Sequence, residues 1–319
     1  MCAEYNARLS SDTILINITR CSLAVRLKPS QVKPPPFSYH DPETVSEVAG
    51  LLSSHENAKL LAGGQSLMPM LNMRFVLPDH VIDLNRVAAL SYIREADGAL
   101  EVGAMTRQTD LELDAAVGAH CPLLSEAILE IGHRQTRNRG TLGGSLCHLD
   151  PSAELVAAAM ALDAVVSVTG ARGSREITFI EFPLAYMTPA IEPDEIVTGV
   201  RFPLWRAGHG YAFVEFARRH GDFAVCSAAV LLEKDRGGKI TRASVTVAGL
   251  TPAPSRVPEV ERSLLGNVAS EALFRDAAEH CRKLDAMGDV HAPASYRQHL
   301  AAVLTRRALE KAVARCAPA

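Results

Sequence analysis

Ala62-Gly63-Gly64-Gln65-Ser66 and Thr141-Leu142-Gly143-Gly144-Ser145 are the two stretches on which the reading of this chain turns. Each places a pair of glycines behind an apolar or basic run and flanks it with a hydroxyl residue. Paired glycines let a backbone turn tightly and approach a ligand closely. A turn of bare N–H groups leading into a helix is a site for phosphate. One Gly-Gly alone is ordinary turn punctuation. Two of them, with Ser66, Thr141 and Ser145 at hand as hydroxyl donors, favour an anion cradle for a ligand with a pyrophosphate and more to hold. Neither stretch is a P-loop, because no Gly-Lys-Ser/Thr follows at the required spacing. Neither is GxGxxG, so the nicotinamide fingerprint is absent.

Outward from the first pair, residues 59–62 read as a short strand, and Ser66 as the cap of a helical segment through Leu67, Met70 and Leu71, with Pro69 in its first turn. Upstream, Asp41-Pro42 with Val45, Val48, Leu51 and Leu52 predicts a helix over 41–53, N-capped by Asp41. Residues 81–84 and 99–103 read as strands and 106–113 as a turn or helix, so β and α alternate as in small parallel units. Periodicity makes 123–132 helical, followed by a basic turn over 133–139. Asp150-Pro151 signals a helix start, with Asp150 as its cap and Glu154 in the first turn of a helix running to about 162. The pattern then becomes β at 164–169, 175–178, 195–202, 211–218, 226–233 and 243–249, with a hairpin turn at 236–239. Residues 270–283 and 295–314 are helical and alanine-rich.

The 319 residues suffice for two or three domains. A 48% hydrophobic and 22% charged composition is that of a soluble globular protein. A net charge of −3, with signs mixed along the chain, gives no support for nucleic-acid binding. The longest apolar runs, such as 155–162, are far too short to span a bilayer. Seven cysteines, an odd number with no CxxC, argue against a disulfide framework or a local zinc or iron–sulfur site. They fit packed thiols in a reducing cytoplasm. Residues 1–32 read as a poorly packed extension, strand-like at 13–19 and without a signal-peptide core, ending at Lys33-Pro34-Pro35-Pro36. A translation start near Val32 is the bolder reading of the same segment.

Ala62-Gly63-Gly64-Gln65-Ser66-Leu67, the run from Arg137-Asn138-Arg139-Gly140 through Ser145, Asp150-Pro151 and Glu154 occur in that order. With Glu192-Pro193-Asp194-Glu195, Gly221-Asp222-Phe223-Ala224, Tyr296-Arg297 and Arg306-Arg307-Ala308-Leu309, they resemble the FAD-binding medium subunits of molybdenum hydroxylases. The likeness is greatest to the aerobic carbon monoxide dehydrogenase type, with the flavin part of xanthine dehydrogenase a relative, and it runs from about residue 33 to 315. It implies an α+β fold in which a two-part FAD-binding domain of the PCMH/vanillyl-alcohol-oxidase type (33–205) precedes a C-terminal α+β domain of the CO dehydrogenase flavoprotein type (206–315).

The resemblance puts both glycine stretches, residues 62–66 and 141–145, on the FAD pyrophosphate and ribityl region. Ile131 would lie against the cofactor, although periodicity equally makes it a helix-packing residue. Glu154 would accept from ribose or ribityl hydroxyls, or else stabilise its helix dipole. Asp150 lies in the same region. Phe223 matches a position where relatives can carry a tyrosine beside the isoalloxazine; the alternative is a core aromatic. Asp222 would accept from the flavin or simply serve the turn after Gly221. Arg134, Arg137 and Arg139 form a solvated turn, offset phosphate charge or dock a partner. His133 and His148 show no third metal-ligand pattern.

What the family implies is a flavin electron-transfer subunit with no catalytic residue and no metal of its own. A large partner subunit would carry the molybdopterin cofactor and a small one the 2Fe–2S clusters, in a dimer of heterotrimers that serves an external acceptor. The cysteine census fits clusters that lie in another chain. A stand-alone flavin oxidase and a non-redox scaffold are the rival readings. Carbon monoxide, N-heterocycles, purines and aldehydes are all compatible substrates of such a complex.

Overall fold

A computed structural model describes residues 14–18, 21–25 and 33–317. β1 (Ile14–Ile18) and β2 (Cys21–Val25) pair antiparallel; β1 falls in the 13–19 tract expected to be strand-like, and β2 lies beyond it. The packing anticipated for the rest of residues 1–32, and the question of a start near Val32, lie outside the described residues.

The first unit is parallel, as its alternation predicts. β3 (Ser38–His40), α1 (Val45–Ser54), β4 (Ala58–Leu61), α2 (Leu67–Asn72) and β5 (His80–Asp83) build a three-stranded sheet in the order β3-β5-β4. Asp41 does not cap α1. The cap is Thr44, whose hydroxyl accepts from the Glu47 N–H at 3.2 Å while the Glu47 carboxylate accepts from the Thr44 N–H at 3.2 Å. This reciprocal box satisfies two helix-end donors at once, whereas Asp41 pairs with Arg86 at 2.9 Å. Val48 and Leu52 of α1 pack with Ile82, Leu84 and Leu90 in a small core.

The alternation stops there. β6 (Ile93–Ala96) and β7 (Ala99–Gly103) are joined by Asp97-Gly98, both at positive φ (49° and 71°). Such a two-residue turn makes an antiparallel hairpin, since parallel neighbours need a long crossover. A helical stretch follows: α3 (Gln108–Leu113), α4 (Ala115–His120), α5 (Pro122–Glu130), α6 (Arg134–Arg137), α7 (Leu142–His148) and α8 (Glu154–Ala161). Every residue of α8 is buried. Next come β8 (Val165–Gly170), β9 (Gly173–Thr178), the short pair β10 (Pro183–Ala185) and β11 (Thr188–Pro189), and β12 (Glu195–Pro203). β8, β9 and β12 complete a five-stranded antiparallel sheet ordered β6-β7-β12-β8-β9, while β10 and β11 pair only with each other.

β13 (Gly210–Phe216), β14 (Cys226–Lys234), β15 (Ile240–Ala248) and β16 (Ser255–Arg256) form an antiparallel meander, followed by α9 (Pro258–Leu264), α10 (Glu271–Ala278) and α11 (Ala294–Arg315). The helix expected over 270–283 tightens into a 3-10 turn after Ala278. β14 is covered on both faces. Ala229 and Leu231 join the core that holds α8, while Ala228, Val230 and Leu232 join the core under α11. Polar ties cross the same junction: Ser244 Oγ donates to the Ala161 carbonyl at 2.6 Å, and the Gly249 N–H to the Pro151 carbonyl at 3.0 Å. Helices segregated from largely antiparallel sheets make the fold α+β. Among the described residues no helix is long and apolar enough to cross a membrane.

Candidate functional site

The fold brings the two glycine pairs into contact. β4 delivers Ala62 and Gly63 at the carboxyl end of the parallel sheet, the usual end for ligands in such units. A Cβ on Gly63 would stand 2.1 Å from the Arg139 carbonyl oxygen, and one on Gly144 would stand 3.4 Å from the Ala62 Cβ. Two side chains lock the approach. Asn85, two residues past β5, donates from Nδ2 to the Ala62 carbonyl at 3.2 Å, and Arg107 donates to Asn85 Oδ1 at 2.5 Å and also to the Arg139 carbonyl.

The pairs are chemically unequal. Among the described residues, the N–H groups of Gly63, Gly64, Gln65 and Ser66 find no acceptor in the protein. Gly64 sits at φ 74°, a left-handed conformation that suits glycine. Ser66 holds the position ahead of α2 in right-handed helical geometry, and its hydroxyl makes no capping bond, contrary to the sequence expectation. The second pair has no open donors. The Leu142 N–H goes to the Thr106 carbonyl (3.1 Å), Gly143 to the Ala104 carbonyl (2.8 Å), Gly144 to Thr141 Oγ1 (3.1 Å) and Ser145 to the Thr141 carbonyl (3.1 Å). This stretch is the capped first turn of α7, with Thr141 as N-cap. Gly143 is required because a Cβ there would meet the Ala104 Cβ at 2.7 Å. The expected double N–H cradle is therefore a single cradle, at residues 63–66, backed by a close-packed wall.

A second cluster forms around the end of α5. Ile131 is buried at its C-cap, and its carbonyl accepts from buried Arg137, which also pairs with Glu112 at 2.8 Å. Arg137 is thus a structural clamp and not part of a solvated basic turn. The turn 221–223 comes up against this segment: a Cβ on Gly221 would stand 2.9 Å from His133 Cε1. Phe223 at its tip is 72% exposed, so it is no core aromatic. Asp222 donates its N–H to the Arg219 carbonyl at 3.1 Å within the turn. Asp150 is not the cap of α8. Its Oδ1 accepts from the Ser152 N–H at 2.8 Å in a local Asx turn, and Ala153 holds the cap position.

Glu154 is buried in the first turn of α8, which packs on α7 and α5. It keeps company the sequence did not suggest. Burial, together with the neighbouring negative charges of Glu154 and Glu130, pushes Glu215 of β13 up to about 8. Burial, with Asp150 and Glu130 nearby, pushes Glu154 up to about 7. Glu215 Oε2 is buried without a hydrogen-bond partner. Such an orphaned acceptor costs free energy unless something donates to it.

Residues 35–205 match the family described as FAD binding domain in molybdopterin dehydrogenase, and residues 211–312 match the CO dehydrogenase flavoprotein C-terminal domain. The chain belongs to the FAD-binding subunits of the molybdenum hydroxylase family. It is 39% identical to the 6-hydroxypseudooxynicotine dehydrogenase complex subunit alpha of Paenarthrobacter nicotinovorans, over 90% of this chain and 98% of that one. It is 35% identical to the carbon monoxide dehydrogenase medium chain of Hydrogenophaga pseudoflava, over 89% and 99%. The solved structure of the carbon monoxide dehydrogenase of Hydrogenophaga pseudoflava lacking the Mo-pyranopterin moiety aligns with a TM-score of 0.87 at 36% identity, covering 89% of this chain and 99% of that one.

FAD is accordingly the cofactor of this flavoprotein subunit, and the chain is the FAD subunit of a multisubunit oxidoreductase. The donor set fits that cofactor: open N–H groups suit phosphate oxygens, and buried carboxyls suit hydroxyls. Asn85, Arg107 and Glu215 stand around the candidate site without having been singled out from the sequence. Asn85 could have been found as the polar residue at the carboxyl end of a parallel strand. Glu215 gave no signal, because one acid in an alternating strand reads as solvent-facing.

Proposed function

We propose that this chain is the electron-transfer subunit of a molybdenum hydroxylase complex. It would take electrons from 2Fe–2S clusters in a small partner subunit and deliver them to an external acceptor. Substrate would be oxidised at a molybdopterin cofactor in a large subunit, within a dimer of heterotrimers in the cytoplasm. The observation that carries this reading is the run of four open N–H groups at Gly63–Ser66, clamped against the 141–145 turn in a chain that matches flavoprotein subunits over 89–90% of its length. Bound FAD supplies a two-electron store that can be filled one electron at a time.

The chain's own residues bind and orient. Gly63, Gly64, Gln65 and Ser66 donate to the pyrophosphate, with Arg107 behind them as a fixed positive charge. Ala62, Leu142, Gly143 and Gly144 form the wall that lets the cofactor approach the backbone, and Thr141 and Ser145 present their hydroxyls. Glu154 and Glu215 accept from ribityl or ribose hydroxyls, and Asp150 holds the turn that aims Glu154. Ile131, Asp222 and exposed Phe223 face the ring system. No residue acts as nucleophile or general base, and substrate choice lies in another chain. Relatives named for carbon monoxide and for an oxidised pyridine alkaloid are both compatible with that.

The test is purification from the native source followed by visible spectroscopy. The expected result is co-purification with a large and a small subunit, and flavin bands that bleach on adding substrate only when both partners are present. Absence of flavin bands after FAD reconstitution, or turnover by the isolated chain, would overturn the proposal.

A further inference from the structure

Three histidines converge beside the parallel sheet. His40 ends β3, His55 is the C-cap of α1, and His80 opens β5. Each has at least one ring nitrogen within 4.8 Å of the others'. His40 Nε2 and His80 Nδ1 are 3.0 Å apart, and the His55 and His80 rings stack with centroids at 4.0 Å. All three are half-buried. Spacings of 15 and 25 residues hid the group from sequence reading, which found no metal pattern; only the folding of β3, α1 and β5 onto one another assembles it.

We propose that His40, His55 and His80 bind one divalent transition-metal ion of the zinc class, a site separate from the flavin and independent of the function proposed above. Neutral imidazole is the preferred ligand for such ions. In a tetrahedral site with Zn–N near 2.0–2.1 Å, ligand nitrogens stand about 3.3 Å apart. The His40–His80 pair, now hydrogen-bonded at 3.0 Å, stands close to that spacing, and the ligand nitrogens of all three residues already lie within 4.8 Å of one another. Three protein ligands leave one position for solvent. His40 borders a shallow open depression with Asp41, Glu47 and Ser54, which gives an ion its entry path. The ion would tie a sheet edge, its neighbouring strand and the end of α1 together, a staple for a unit whose own core is small.

The experiment titrates Co2+ into the full chain, purified without a polyhistidine tag and freed of metal with a chelator. One equivalent should bind with the intense visible bands of a four-coordinate nitrogen site, be displaced by Zn2+, and raise the melting temperature. His55→Ala and His80→Ala should each abolish the bands and the thermal shift while FAD content stays unchanged. In the unmutated chain, Zn2+ should also protect His40, His55 and His80 together from acylation by diethyl pyrocarbonate, read by peptide mass. Pale six-coordinate cobalt spectra that persist in the variants, no binding at millimolar metal, or acylation unaffected by Zn2+ would each overturn the proposal. The acylation arm decides the matter even if a variant fails to fold.

Discussion

Gly63 shows how much one missing side chain can decide. Alanine there would drive its Cβ to 2.1 Å from the Arg139 carbonyl oxygen, against backbone that cannot rotate away. Overpacking of this kind costs about 1–3 kcal/mol. Because the strain falls on the joint between the two stretches, Gly63→Ala should weaken FAD binding roughly ten- to a hundredfold, measured by flavin fluorescence titration. Unchanged affinity would mean that the joint does not shape the site. Glu215 makes a pH prediction. Its carboxyl is pushed up to about 8 in the folded chain, against about 4.3 when unfolded. The folded state therefore favours the protonated form, and the chain loses stability on this group's account as pH rises from about 4 to 8. In the FAD-free protein, Glu215→Gln should raise the melting temperature at pH 8 and leave it nearly unchanged at pH 4. Equal effects at both would rule out the buried, raised carboxyl.

At the scale of elements, the glycine stretches look alike in sequence and behave differently because of what precedes them. Residues 62–66 leave a strand edge with no neighbour to receive their N–H groups, whereas 141–145 lie across the end of β7, where Ala104 and Thr106 take them up. Thr141 also caps α7. Thr141→Ala should therefore cost about 1 kcal/mol, seen as a lower urea midpoint with an unchanged slope. An unaltered midpoint would show that α7 is held by packing alone. The boundary of α1 teaches a related lesson. Asp41-Pro42 is a good start signal, yet Thr44 and Glu47 offer two reciprocal bonds where Asp41 offers one, and Arg86, distant in sequence, takes Asp41 away.

For the whole molecule, the decisive contact is between units. Glu126 of α5 accepts from the Phe213 N–H at 3.0 Å, from Arg315 at 2.8 Å and from Lys311 at 3.1 Å, pinning α11 and β13 to the FAD-binding unit. Burial alone would raise its pKa, but the bonds from Arg315, Phe213 and Lys311 outweigh it and hold it below the usual carboxylate range. Glu126→Ala should cost about 2 kcal/mol, in line with hydrogen bonds to a charged group, by denaturant unfolding at pH 7. Since the folded pKa is depressed, this contribution is present above the ordinary value and lost as pH falls through the lowered one. The gap between wild type and Glu126→Gln should thus narrow under acid. A gap independent of pH would contradict the ionised bridge.

The sequence by itself determined much of the local grammar and the family: most strands and helices, though not β3, β6, α4 or α7, the two glycine stretches, and enough ordered motifs to point to a flavin subunit. Those signals are short-range, set by turn chemistry, periodicity and residues whose conformational needs travel with them. Only the tertiary structure decided which glycines offer N–H groups and which merely make room, that Arg137 is a clamp and Phe223 an exposed ring, and that Glu154 shares its burial with Glu215. It alone gathered His40, His55 and His80. Each of these depends on a neighbour far along the chain, because hydrogen-bond satisfaction, desolvation and ligand convergence belong to the space between elements.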